Sequence, residues 1–191
     1  VALICPFADF IRRYRWQALL ILALISSYRI ADIVMGVIAN VFYVDLGFTK
    51  AEIATVTKVF GIVMTLTGAL AGGALVNRFG VMKILFAGAL MAALTNLLFA
   101  ALAMNGPQIE LLVVVISLDN LSAGIATAAF VAYLSALTNI QYSATQYALF
   151  SSIMLLLPKF MGGFSGVAVD NIGYPLFFTG TAILGLPVLW L

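Results

Sequence analysis

The sequence predicts an all-α membrane protein of about six transmembrane helices, and three observations carry that reading. The 191 residues are 64% hydrophobic and 8% charged, against about 25% charged residues in a soluble domain. The mean hydropathy is +1.18, so the chain has too little polar surface to face water and its solvent must be lipid. Long apolar runs recur along the chain, each near the roughly 20 residues that a helix needs to cross the hydrocarbon.

Breaks between the runs define the elements. Residues 1–16 read as a cytoplasmic lead-in, followed by a first span near 17–44 that Asp45-Leu46-Gly47 ends. Thr49 and Glu52 have capping-box spacing, so a helix starts at about Lys50 and carries a second span near 53–76. Asn77-Arg78-Phe79-Gly80 closes it, and Asn105-Gly106-Pro107 closes a third span near 84–104. A fourth span lies near 111–137 and a fifth near 147–169, with Asn171-Ile172-Gly173 separating the latter from a last span near 174–191. The chain opens on Val1 and stops at Leu191 within an apolar run, so it reads as a fragment of a longer protein.

Lys and Arg favour the cytoplasmic side of a membrane. Arg12, Arg13 and Arg15 precede the first span, and Arg78 and Lys83 lie between the second and third. Alternating spans put both groups on one side, which places the start of the chain inside. Tyr14 and Trp16 then fall at an inner interfacial belt, and Phe42, Tyr43 and Tyr174 at an outer one.

Composition excludes several chemistries. With no histidine and a single cysteine, Cys5, a structural zinc site, a Ser-His-Asp triad and a Cys-His pair are not expected. No G-x-S-x-G nucleophile elbow and no ATP-binding motif occur. No metal, cofactor or catalytic residue is therefore expected. The net charge of +2 is scattered and does not point to nucleic acid. An intramembrane enzyme would have to rest on Asp32 and Asp119 as a dyad, and a non-transporting assembly or sensor subunit would leave the interior ions unexplained.

Those interior ions carry the functional reading. A charge at the bilayer centre costs about 2.5–3.5 kcal/mol by insertion scales, and such residues commonly mark substrate or proton paths. Arg29 and Asp32, at i,i+3 spacing, share a helical face with Gly36, Asn40 and Tyr43. The pair is either a substrate or coupling site, with Arg suited to a carboxylate, or a structural ion pair. On the fourth span Asp119 shares a stripe with Ala123, Ala126, Phe130 and Tyr133, either a polar cavity whose aromatics could stack on sugar rings or a close helix contact. Lys159 follows Pro158 inside the fifth span and either lines a path or snorkels to the interface.

Two resemblances sharpen this. The segment Gly73-Ala74-Leu75-Val76-Asn77-Arg78-Phe79-Gly80 resembles the G-x-L-x-D-R-x-G signature of the major facilitator superfamily, with Asn77 in place of the usual Asp. That likeness implies a secondary transporter, with this chain as one six-helix half built from two inverted three-helix repeats. It also implies a gating role for Gly73, Asn77, Arg78 and Gly80. Tyr28-Arg29-Ile30-Ala31-Asp32, Phe42-Tyr43, Gly47-Phe48-Thr49, Ser143 to Leu149, Pro158-Lys159 and Gly162 to Gly166 are together similar to the C-terminal half of AmpG-type muropeptide permeases. The resemblance implies proton-coupled import of anhydromuropeptides across a bacterial inner membrane, with lipid and an N-terminal half as partners. Acetyl-CoA transporters are the neighbouring alternative.

Overall fold

The computed structural model describes residues 4–190, which are helical nearly throughout and contain no β-strand. Residues 1–3 of the expected lead-in and Leu191 of the expected last span lie outside the described residues. Helix α1 (Ile4–Tyr14) is followed by α2 (Gln17–Ser27) and α3 (Ile30–Asp45), which together make the first long apolar stretch. A second stretch runs from α4 (Lys50–Val56) through a π-helical segment, Thr57–Gly61, into α5 (Ile62–Phe79). Helices α6 (Val81–Asn105), α7 (Ile109–Leu137), α8 (Ser143–Gly162) and α9 (Ser165–Gly185) complete the bundle.

Five stretches among the described residues are long and apolar enough to cross a membrane: Gln17–Asp45, Lys50–Phe79, Val81–Asn105, Ile109–Leu137 and Ser165–Trp190. The expected fifth span, 147–169, is divided instead. Pro158 removes a backbone donor inside α8, which ends at Gly162, and the chain turns through Gly163 and Phe164 before α9. The boundary expected before the last span falls inside α9, where Gly173 has φ 76° and ψ 164°. Gly80 (φ 88°) and Gly106 (φ 83°) have the same left-handed φ at the corners on either side of α6. A side chain is strained there, so these corners call for glycine. At the other connection the capping box forms: the Thr49 backbone N–H donates to Glu52 Oε2 at 2.8 Å, and the Glu52 N–H donates to Thr49 Oγ1 at 3.3 Å.

Packing follows a two-fold pattern. The second stretch packs on the fourth as α8 packs on the first, while α6 lies against both α7 and α9, and α9 also lies against α3. Exchanging the first three spans for the last three maps these main contacts onto one another, whereas the smaller α5–α6 and α3–α6 contacts have no comparable counterpart. Small residues permit the closest contact. A Cβ added to Gly68 would lie 2.3 Å from the Leu121 carbonyl oxygen, and one added to Gly124 would lie 2.4 Å from that of Thr65. Backbones this close gain van der Waals contact in a solvent where no hydrophobic drive operates between helices. Beside this seam Thr65 Oγ1 donates to Asn120 Oδ1 at 2.9 Å.

The lead-in is helical and packs on the bundle. Phe10 is fully buried and meets Phe150 edge-on at 4.9 Å, seating α1 on the bundle. Gln146 donates to the Pro6 carbonyl at 2.9 Å and to Asp9 at 3.1 Å, and its own carbonyl accepts from the Asn139 N–H at 2.7 Å. Arg13 donates to the Leu137 carbonyl at 2.9 Å, satisfying an acceptor that the end of α7 leaves free.

Candidate functional site

Near its midpoint the first long stretch is interrupted. Ser26 and Ser27 both donate from their hydroxyls to the Ala23 carbonyl, and such back-bonding bends helices. The Arg29 backbone leaves helical geometry at φ −99° and ψ 10°, and α3 starts on the next residue. Arg29 therefore stands at a broken-helix joint, with Asp32 in the first turn of α3 where a negative charge complements the helix dipole.

The two ions are paired. Arg29 Nε lies 3.3 Å from Asp32 Oδ2, and Arg29 Nη1 donates to Thr127 Oγ1 on α7 at 2.8 Å. Their side chains keep 21% and 15% exposure, and Thr127 is exposed, so the group opens on the surface of this half. Deeper in, Asp119 on α7 accepts from Thr95 Oγ1 on α6 at 3.2 Å and lies within electrostatic reach of both Asp32 and Arg29. Three ions from two spans thus converge, from Thr127 and Arg29 at the surface to Thr95 and Asp119 inside. A planar guanidinium at the opening can bind a carboxylate, and two neighbouring carboxylates with one cation can exchange a proton.

The other expected residues are not drawn into this group. Asn40 is exposed about two turns beyond Asp32 on α3, and Lys159 is exposed on α8. No hydrogen bond or ion pair among the described residues links either to Arg29, Asp32 or Asp119. The cavity aromatics need correction. Phe130 is 2% exposed and stacks on Tyr28 at 4.8 Å, whose hydroxyl donates to the Leu85 carbonyl. Tyr43 is 5% exposed, in an aromatic cluster with Phe42, Phe99 and Phe178. Both are packing residues, because a shared stripe does not say which neighbour a ring meets. Tyr133 is half-buried and packs beside Phe130 with ring centroids 6.3 Å apart. Gly73, Asn77, Arg78 and Gly80 are exposed at the end of α5, where Arg78 lies over the Phe79 ring at 5.3 Å. Thr127 and Thr95 are the partners that the sequence did not reveal.

Long apolar helices, one of them interrupted, with ions that converge there and open on the surface of the bundle are features of a membrane transporter. Residues 19–191 match the model of the Major Facilitator Superfamily, and the chain belongs to that family. Within it, the chain is 37% identical over 190 residues to a Rickettsia felis protein named "Putative transporter AmpG 4", covering all of this chain and 45% of that one. The Rickettsia conorii protein of the same name is 37% identical over 97% of this chain and 44% of its own length. A Rickettsia felis "Putative transporter AmpG 1" is 32% identical over 90% of this chain and 39% of its own. The chain thus spans under half the length of these curated relatives.

Proposed function

We propose that the intact protein imports anhydromuropeptides across a bacterial inner membrane together with protons, and that this chain supplies one half of the transporter. The observation that carries the reading is the Arg29–Asp32 pair at the broken helix, open at Thr127 and backed by Asp119. The likeness to proteins named as AmpG transporters supports the substrate class. Arg29 holds a substrate carboxylate or controls Asp32, and Asp32 or Asp119 carries the proton. The missing half faces this surface and closes the site, with residues 1–16 and the corner at Asn77 and Arg78 on the cytoplasmic side. Asn40 and Lys159, exposed on neighbouring elements, line the approach for a large polar substrate.

The test is uptake of labelled anhydromuropeptide by the full-length protein in vesicles with an imposed pH gradient. Uptake should rise severalfold with the gradient and collapse with a protonophore. Uptake indifferent to the gradient removes the coupling, and transport of acetyl-CoA without muropeptide moves the substrate to the neighbouring class.

A further inference from the structure

Asn96 is 0% exposed on α6, and neither its Nδ2 nor its Oδ1 has a hydrogen-bond partner among the described residues. A buried amide left unanswered carries the full desolvation cost of both groups, so its presence in a 25-residue apolar helix calls for a reason. Its direction follows from the neighbours. Thr95 points at Asp119, whereas Ala93 and Ala31 both flank Gly185 on α9. At about 100° per residue Ala93 stands roughly 160° round from Thr95, and Asn96 falls between them at roughly 100°. The amide therefore points into the wedge where α7 brings Asp119 from one side and α3 brings Ala31 and Asp32 from the other.

We propose that Asn96 is a positioning residue for Asp119. Through one water molecule its Nδ2 donates toward the ionised carboxylate, and its Oδ1 accepts from the protonated one. Water fits the amide better than a metal cation does, because it answers donor and acceptor together while a cation answers only the oxygen. Asn96, Asp119 and the Thr95 hydroxyl supply the two to four polar partners that a buried water needs. The charged and titratable groups facing Asp119 are Asp32 and Tyr43 from α3 and Arg29 at the joint before it. Asn96 thus lets one site hold both proton states without moving a charged side chain. The inference rests on the proton-coupled reading above.

Full-length transporter in liposomes, titrated from pH 4 to 10 by infrared spectroscopy, tests it without substrate. The Asp119 carboxylic-acid band is assigned by its loss in Asp119→Asn. In Asn96→Leu its midpoint should rise by about one pH unit, because the bond to the ionised carboxylate is the stronger of the two that the amide can make. In Asn96→Thr, which keeps a donor and an acceptor, it should stay closer to the parent. The melting temperature of Asn96→Leu should hold, since the amide makes no direct bond to a protein group that leucine would lose. A midpoint unchanged in Asn96→Leu overturns the inference, as does a melting temperature several degrees lower, which would mark the amide as structural. If Asn96→Leu does not fold, Asn96→Ala makes the same midpoint comparison. Absence of any Asp119 band removes proton uptake at Asp119 itself, while a band that ignores Asn96 removes only the role given to Asn96.

Discussion

At the scale of single residues, charge in hydrocarbon was the legible signal. Arg29, Asp32 and Asp119 stand out in apolar runs, and the structure brings all three together. Their hydroxyl partners do not stand out, because a threonine in a membrane helix can satisfy itself on its own backbone, as Thr67 does on the Val63 carbonyl. Arg29→Ala leaves Asp32 unpaired in a mostly buried setting, so uptake by the full-length protein should fall at least tenfold. Arg29→Lys should not restore it, since a point charge cannot reach Asp32 and Thr127 in the fixed fork that the guanidinium offers. Adding Asp32→Asn to Arg29→Ala should recover membrane expression lost to the unpaired carboxylate; equal expression in the single and double variants would show that the pair is not energetically coupled. Phe130→Ala should lower thermal stability by about 3–5 kcal/mol, the range for large aromatic truncations, and leave the KM of the surviving protein unchanged. A raised KM with intact stability would return Phe130 to the substrate path.

At the scale of elements, glycine spacing and turn residues announced the corners, and the capping box at Thr49 formed as its sequence predicts. Two features were hidden. The bend at Arg29 arises from serine back-bonding within a run that stays apolar, so hydropathy reads straight through it. The segment before the apolar runs carries no hydropathy signal for its packing, yet Pro6, Phe10, Asp9 and Arg13 all find partners on α8 or at the end of α7. Gln146→Leu should free α1 by removing the group that holds Pro6, Asp9 and Asn139. Trypsin added to the exposed face should then cut at Arg12, Arg13 or Arg15 severalfold faster; unchanged cleavage would show that apolar seating alone holds α1. Gly124→Val should be far more damaging than Gly166→Val. Its side chain would be driven into the Thr65 carbonyl, whereas a Cβ at Gly166 meets nothing within 4 Å. The overpacking penalty is about 1–3 kcal/mol or more, read as lost thermal stability in detergent.

At the scale of the whole molecule, the two-fold pattern of span contacts and the family match describe one transporter half whose polar group opens on its own surface. The opposite situation holds on the second long stretch, where Leu66 and Leu70 are 60% and 78% exposed and carry no polar neighbour of that kind. Under the proposed function, the face bearing Arg29 and Asp32 is a water-filled substrate path in the assembled protein. Gly36 reports on it cleanly, since it is exposed one turn beyond Asp32 and a Cβ there meets nothing within 4 Å. In a full-length protein without other cysteines, Gly36→Cys should react with a water-soluble maleimide and be protected by anhydromuropeptide, while Leu70→Cys stays silent. Silence at both positions, or labelling of Gly36→Cys that substrate does not slow, would contradict it.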